Sequence, residues 1–321
     1  MKDTTFGSID VCDAHVHFFS HRFYGKLAGQ APTTRGAADP VAAAGEVTGF
    51  EIPDSDPGSL ADQWVAELDA SGVSKAMIIA SVPGDEASVS AAVSRHPGRF
   101  VGAFMLDPTH DDTEARARRA FTELGLSVAC LFPAMHHFSV AENDGVRAVA
   151  ALAADHAGRA VFTHFGALSV GIRGKLGIAS RFDMRRSNPV DLHPLASEFA
   201  STNFIVPHFG AGLLREALML ADLCPNVLLD TSSSNKWMRY TSPPADLAGV
   251  FRQSIAVAGA SRLLFGTDSS FFPRGWNAAV FDSQLVALEA AGATEDDARA
   301  ILGGNFRRVL GEEEGPRIKR I

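Results

Sequence analysis

Histidine and aspartate residues cluster in the segment SIDVCDAHVHFFSH, residues 8–21. His15 and His17 are separated by one residue, a spacing that places two side chains on the same side of a β-strand. Two imidazoles directed into one buried space are costly unless they are hydrogen-bonded or bound to a metal ion. Asp13 is two residues before His15, so it is expected on the same side of the strand. We expect it to hydrogen-bond a histidine ligand on the side of the ring away from the metal ion. The pair alone is a weak signal, because single hydrogen-bonded histidines are common in protein cores.

Three further residues of the same chemistry end later β-rich runs. His164 ends AVFTH, His208 ends NFIVPH, and Asp268 ends RLLFGTD. Strand-end residues line the active sites of barrel enzymes, so these side chains are expected to meet at one rim. Three histidines and one carboxylate suit zinc, and other first-row divalent ions are alternatives. A purely structural explanation would have to account for each of these residues separately.

Eight short β-rich runs alternate with helical patterns along the chain. Most of the runs are nearly continuously apolar, as is typical of parallel strands that are buried on both faces. They are SIDVCDAHVH, KAMIIAS, FVGAFML, SVACLF, AVFTHF, NFIVPHF, NVLLDTS and RLLFGTD. This order predicts a (β/α)8 TIM barrel. The alternative is an open doubly wound sheet, but the glycine-rich phosphate fingerprint that favours it is missing after the first run.

The segments between the runs carry helix signals. Leu60, Trp64 and Leu68 are spaced for one apolar helical stripe, and Gly72 offers a stop. The last helical segment, ATEDDARAILGGNFRRVLG, opens with Thr294 and Asp297 at capping-box spacing. Two connections, residues 18–57 and 166–194, are long enough to be binding loops or lids. We therefore expect one domain over residues 1–321, with residues 18–57 as a lid or substrate-binding loop.

Composition restricts the class of protein. The chain has 321 residues, of which 46% are hydrophobic, and its net charge of −8 argues against a nucleic-acid partner. No segment reaches the roughly 18 uninterrupted apolar residues of a membrane span, and the N-terminal segment lacks signal-peptide character. The three cysteines are far apart, which favours a reduced, cytoplasmic compartment. The last ten residues, EEEGPRIKRI, are expected to be an exposed tail.

The segments DAHVH, THFG, PHFGAG and FGTDSS, in this order and at these strands, resemble the amidohydrolase superfamily. More narrowly, the chain resembles the amidohydrolase-related (amidohydrolase-2) family, which includes enzymes like aminocarboxymuconate semialdehyde decarboxylase. NVLLDTSSSN and AILGGNFRRVLG also carry this resemblance. It implies a single divalent metal ion, zinc first, held by the four ligands His15, His17, His164 and Asp268, with His208 beside a metal-activated water. No lysine or glutamate ends the fourth run, so a bridging carbamate and a second metal ion are not expected.

The catalytic roles then fall on Asp268, as proton acceptor, and His208, which would hold the water or polarise a carbonyl. The long connections carry many cations although the chain is acidic, which predicts a small anionic, carboxylated substrate. The predicted substrate contacts are Arg22, Arg181, Arg239, Trp237 and His136. The alternative for each arginine is simple solvation.

The preferred function is hydrolysis of a lactone, amide or ester-like bond. Non-oxidative decarboxylation is the main alternative, because it would use the same ligands. The segment GTDSS differs from the GSDYP-like segment associated with many of the decarboxylases, which favours hydrolysis. A non-catalytic binding barrel and a metal-free hydrolase are further alternatives. Pairing into a homodimer is expected from the family resemblance.

Overall fold

A computed structural model describes residues 1–233, 235–241 and 245–311. Eight parallel strands form one sheet in the order of the chain, and each overlaps one predicted run. They are β1 (Val11–Phe18), β2 (Val73–Ala80), β3 (Phe100–Leu106), β4 (Val128–Leu131), β5 (Ala160–Thr163), β6 (Asn203–Val206), β7 (Val227–Asp230) and β8 (Leu263–Leu264). The predicted (β/α)8 barrel is confirmed.

The barrel closes between β1 and the segment that follows β8. The Ala14 N–H donates to the Phe265 carbonyl at 2.8 Å, and the His17 N–H donates to the Ser269 carbonyl at 2.7 Å. Between them, the Asp268 N–H donates to the His15 carbonyl at 3.0 Å. The backbones of His15 and Asp268 are therefore joined directly at the seam of the barrel, and that of His17 is joined to the residue after Asp268.

Helices cover the outside of the barrel and fill its connections. The α-helices are His21–Ala28, Pro40–Thr48, Pro57–Ala70, Glu86–Arg95, Thr113–Thr122, Pro133–His136, Asp144–Ala154, Gly171–Lys175, His193–Glu198, Leu214–Leu223, Leu247–Ala258, Ala278–Ala291, Glu295–Arg299 and Asn305–Leu310. Short 3₁₀ helices lie at Pro32–Thr34, Met184–Arg186, Pro189–Leu192, His208–Gly210, Lys236–Tyr240 and Ala260–Arg262. No helix in the described ranges is long and apolar enough to cross a membrane.

Two apolar layers explain why the strand sequences are almost continuously hydrophobic. Inside the barrel, Ala14, Ile79 and Phe162 belong to one buried cluster, which Phe306 and Leu310 of the last helix extend. The opposite faces of the strands pack against the surrounding helices in a second, larger cluster. Both faces of each strand are thus removed from water, as parallel barrel strands require.

The predicted local features are confirmed except at two places, which are the start of β1 and the final helical segment. Leu60, Trp64 and Leu68 are buried on the helix Pro57–Ala70, and Gly72 follows it with a φ of +68°. The first strand begins at Val11 rather than in residues 8–10, because Gly7–Ile9 pairs with Lys2–Thr4 in a separate antiparallel hairpin.

The final helical segment was predicted as one helix, and it contains a π-helical turn at Ala300–Gly304. The Thr294–Asp297 capping box is present at its start. A Cβ atom at Gly303 would lie 1.9 Å from the Asp10 carbonyl oxygen, so glycine allows the turn to approach the start of β1. The predicted exposed tail, residues 312–321, lies outside the described residues.

The two long connections are folded and pack against each other. Residues 18–57 contain two α-helices, and Phe23 and Leu27 of the first share a buried cluster with Ile172 and Leu176 from the connection after β5. The Lys175 ammonium also donates to the Thr48 carbonyl at 2.7 Å. Together they form one lobe beside the C-terminal ends of the strands.

Candidate metal centre

A register shift in β1 decides which side chains enter the site. The pairing of β1 with β2 is irregular between Asp13 and Val16. Before this shift Cys12 and Ala14 face the inside of the barrel, and after it the His15 ring packs edge-on against the interior Phe162 at 5.1 Å. A bulge of this kind changes which face successive side chains occupy. The histidines therefore point inward, whereas Asp13 does not share their side.

The prediction that Asp13 hydrogen-bonds the ring of a histidine ligand is wrong. Its carboxylate accepts a hydrogen bond from the backbone N–H of His15 at 2.9 Å, and none is formed with a histidine ring. It also accepts from the Thr267 hydroxyl at 2.5 Å, the Thr267 N–H at 3.1 Å and the Trp276 indole N–H at 2.8 Å. Asp13 is fully buried and ties β1 to the segment that carries Asp268.

Three predicted ligands converge at the seam. The His17 Nε2 atom lies 3.2 Å from an Asp268 carboxylate oxygen, and the His15 Nε2 atom lies 3.7 Å from the same oxygen. One donor atom from each of the three residues falls within 4.8 Å of the others, which is a spacing that can hold a metal ion. Asp268 has a φ of +58°, a left-handed conformation that aspartate tolerates better than most residues.

Asp230, which the sequence reasoning missed, orients His15. Its carboxylate lies 2.6 Å from His15 Nδ1 and is fully buried. An ionised carboxylate at this position makes Nδ1 the donor, so Nε2 is left with its lone pair toward Asp268. The available signal was the position of Asp230 as the last residue of β7, at the same rim as the other strand-end residues.

Ser81 orients His17 in a similar way. The Ser81 hydroxyl donates its proton to the Ile79 carbonyl at 3.0 Å and lies 2.7 Å from His17 Nδ1. Since the hydroxyl has one proton, it accepts from His17 Nδ1–H, and Nε2 is again unprotonated. Both histidines of the pair are therefore held with Nε2 ready to bind a cation.

His208 lies in a strained segment after β6. Residues 208–212 all have positive φ, from +45° at Ala211 to +102° at Gly212. Non-glycine residues in this region cost on the order of 1–3 kcal/mol each, and such strain concentrates at functional sites. The His208 ring stacks on His15 with ring centroids 5.0 Å apart.

His164 adjoins this pair without joining the three-residue group. Its ring meets the His208 ring edge-on at 5.1 Å and stacks on Phe132 at 5.5 Å. Its Nδ1 atom is buried and has no hydrogen-bond partner within the described part of the chain. A buried nitrogen without a partner is costly, which is consistent with a ligand that completes its interactions. Its role as the fourth ligand stays a prediction.

The loops that carry His164 and His208 approach each other at Gly166. This glycine has a φ of +74°, and a Cβ atom there would lie 2.1 Å from the Gly210 carbonyl oxygen. Any other residue would separate the two loops. The glycine of THFG thus allows the close approach to the segment PHFGAG.

Burial sets the protonation of three imidazoles. It lowers the pKa of His17 and of His208, and it lowers the pKa of His164 well below its usual value, so all three favour the neutral form. Neutral imidazole is the form that binds metal ions.

The pKa values of the two remaining groups, His15 and Asp268, depend on neighbouring side chains as well as on burial. Burial alone would lower the pKa of His15, but the charge of Asp230 outweighs it and raises that pKa. Burial would likewise raise the pKa of Asp268, but the contacts of its carboxylate with the His17 and His15 imidazoles outweigh it and hold that pKa below its usual range. Asp268 is therefore an anion among imidazoles, and these donors fit a divalent metal ion.

A family model described as Amidohydrolase matches residues 12–311, which include every residue of this centre. The chain belongs to the amidohydrolase family. Among curated proteins, this amidohydrolase is 30% identical over 91 residues to Protein fluG of Emericella nidulans. The match covers 28% of this chain and 10% of that protein, so the chain corresponds to a small part of its length.

Solved structures with the same fold include two with described activities. A Pseudomonas putida protein proposed to be a 2-pyrone-4,6-dicarboxylic acid hydrolase has a TM-score of 0.60 and 19% identity, with 96% of this chain and 100% of that chain covered. A 5-carboxyvanillate decarboxylase of Novosphingobium aromaticivorans with bound manganese has a TM-score of 0.59 and 14% identity, with 95% and 98% covered. At these identities the likeness establishes the fold alone.

A cavity of about 440 Å³ lies beside the candidate metal centre of the amidohydrolase. Ser81, which holds His17, also lines this cavity. The connections after β1, β4 and β5 supply its basic side chains Lys26, His136, His137, Arg173 and Arg181. In the described ranges, no aspartate or glutamate lines it. The apolar part of the wall consists of Phe23, Leu27, Val82, Pro83, Met105, Met135, Val170, Ala179 and Phe182.

The structure brings two of the five predicted substrate contacts, His136 and Arg181, into this cavity. Arg22, Arg239 and Trp237 do not line it. Arg22 and Arg239 are exposed, and Trp237 is buried with its indole N–H bonded to Asn235 Oδ1 at 3.1 Å. Contact of these three residues with substrate stays a prediction.

Proposed function

We propose that this amidohydrolase is a metal-dependent hydrolase that acts on a small carboxylated substrate with a lactone, amide or ester-like bond. One observation carries the proposal: the centre of His15, His17 and Asp268 adjoins, through Ser81, a basic cavity with an apolar wall. Pockets with an apolar lining and a few converging polar groups are the usual form of a small-molecule site.

Each residue of the centre has a separate role in the proposed reaction. A divalent metal ion held by His15, His17 and Asp268, with His164 as the predicted fourth ligand, would lower the pKa of water to about 7. Asp268 is an ionised carboxylate and accepts the proton of the attacking water. His208, stacked on His15, faces the reacting carbonyl. Zinc is the first candidate for the metal because imidazole and carboxylate ligands suit it.

Arg173 is the strongest candidate for a carboxylate contact. It is half-buried in the cavity wall, and its Nε atom is buried without a hydrogen-bond partner among the described residues. Burial lowers the pKa of its guanidinium, and no carboxylate among the described residues offsets that effect. A substrate carboxylate would supply both the missing acceptor and the missing charge. Residues 18–57 contribute Lys26 to the same wall, which supports their role as a substrate-binding segment.

Replacing Arg173 by methionine is expected to raise KM by about 10-fold to 100-fold, because a hydrogen bond to a charged group contributes about 1.5–3 kcal/mol. The value of kcat should change little, since the contact is remote from the reacting bond. KM is measured for a carboxylated substrate and for its methyl ester. Arg35→Met, at an exposed position outside the cavity, is the matched control. Equal losses for acid and methyl ester would argue against a carboxylate contact.

The test of the proposed function combines metal analysis with product analysis. Protein purified without added metal is analysed for metal content, chelated, and reloaded separately with zinc and with manganese. We expect about one ion per chain and loss and recovery of activity with it. Carboxylated lactones and esters are then followed by acid release, and carboxylated aromatics by carbon dioxide release. Carbon dioxide release without hydrolysis would replace the proposal by a decarboxylase, and a chain that binds no metal would overturn it.

A further inference from the structure

Four buried residues form a continuous chain of polar contacts from β7 to His208. Asp230 is bonded to His15, and Ser232 lies between His15 and His208. The Ser232 hydroxyl oxygen lies 2.9 Å from the Nδ1 atom of each histidine. Ser232 is fully buried, so the direction of each bond is fixed by the protons of the four groups.

The first proton lies on His15 Nδ1. Both oxygens of Asp230 are engaged, because Oδ1 accepts the Ser232 N–H at 2.6 Å and Oδ2 lies 2.6 Å from His15 Nδ1. Imidazole is the stronger base of this pair, so the shared proton is on the ring nitrogen. His15 Nδ1 therefore has no lone pair to offer Ser232.

The second proton is that of the Ser232 hydroxyl. It cannot be donated to His15, and it is therefore directed to His208 Nδ1 at 2.9 Å. If His208 Nδ1 were instead the donor, to the Ser232 hydroxyl at 2.9 Å or to the Ser232 carbonyl at 3.3 Å, the buried hydroxyl proton would have no acceptor among the described residues. The serine proton therefore makes His208 Nδ1 an acceptor, and the ring proton is then on Nε2.

We propose that Ser232 is a positioning residue that fixes His208 as the Nε2–H tautomer, so that His208 donates a hydrogen bond to the substrate oxygen and leaves proton acceptance to Asp268. The tautomer follows from the hydrogen bonds alone. The catalytic consequence rests on the proposed function. A preorganised donor toward developing negative charge is among the largest contributions to catalysis of acyl transfer.

The tautomer is measured by ¹⁵N NMR of protein labelled on histidine, before and after zinc loading. The His208 signals are identified among those of the 11 histidines by their loss in His208→Gln. We expect an unprotonated Nδ1 and a protonated Nε2 in the wild-type protein. In Ser232→Ala only the backbone carbonyl remains near His208 Nδ1, so the tautomer should invert. Ser232→Thr keeps the hydroxyl and should retain the wild-type pattern.

A protonated Nδ1 in the wild-type spectrum would overturn the proposal, whatever the variants do. So would an unchanged tautomer in folded Ser232→Ala. For activity, Ser232→Ala should lower kcat by about 10-fold to 100-fold with little change in KM, as for other residues that orient site histidines. Hydrolysis that fails in the wild-type protein while the Nε2–H tautomer is present would count against the proposed function only.

Discussion

Asp268→Asn is expected to lower kcat by about 10²- to 10⁴-fold, the usual contribution of a positioned acid or base. Asparagine has nearly the same shape and also tolerates the φ of +58° found at this position. It cannot accept a proton from water, and it loses the negative charge beside His15 and His17. The fold should therefore survive while the reaction does not.

Measuring the metal content separates the role of Asp268 as a metal ligand from its role as a proton acceptor. The kcat of Asp268→Asn is measured per bound zinc, with zinc saturating, so that weaker metal binding is not counted as slower chemistry. Asp282→Asn removes an exposed carboxylate on the helix Ala278–Ala291 and should leave kcat unchanged. Activity per zinc within about threefold of wild type would assign proton acceptance to another group, since one acid or base contributes far more than this.

The fold and the convergence of three predicted ligands could be predicted because parallel strands obey simple rules. Runs such as KAMIIAS and FVGAFML are apolar on both faces, and their carboxyl ends meet at one rim. Polar residues that end such runs must therefore converge, which places His15, His17 and Asp268 together without knowledge of any loop. The structure confirms the convergence of these three.

The orienting residues could not be predicted in the same way. Strict alternation in β1 placed Asp13 with the histidines, but the register shift before Val16 changes the face. Asp230 and Ser81 act through the direction of single protons, and spacing along the chain does not reveal such directions. Arg173 was one of many loop cations in the sequence, and only its burial without a carboxylate distinguishes it from the solvated ones.

A second substitution with a large expected effect, that of Asp13, lies at the seam of the barrel and away from the predicted metal ion. The Asp13 carboxylate is hydrogen-bonded to none of the three converging ligand side chains in the described part of the chain. It accepts from the backbone of His15 and from both the N–H and hydroxyl of Thr267, the neighbour of Asp268. A substitution of Asp13 can therefore change the positions of the ligands as well as the stability of the protein.

Asp13→Ala is expected to lower the free energy of unfolding by at least about 3 kcal/mol, because three buried N–H donors lose their acceptor at about 1–3 kcal/mol each. The donors are those of His15, Thr267 and the Trp276 indole. Unfolding is followed by urea titration, together with zinc affinity in the folded protein. Asp13→Asn keeps one acceptor oxygen and should lose less stability than alanine.

Zinc affinity should fall in Asp13→Ala even where the protein is fully folded, because the His15 and Asp268 backbones meet at the seam that Asp13 holds. A shift of about 1 Å in a catalytic group can cost about 10²-fold in rate, so the same variant should also lose activity at saturating zinc. Loss of stability with unchanged zinc affinity would mean that the ligands are held by Asp230, Ser81 and the strand bonds alone. In that case Asp13 would serve the closure of the barrel and not the site.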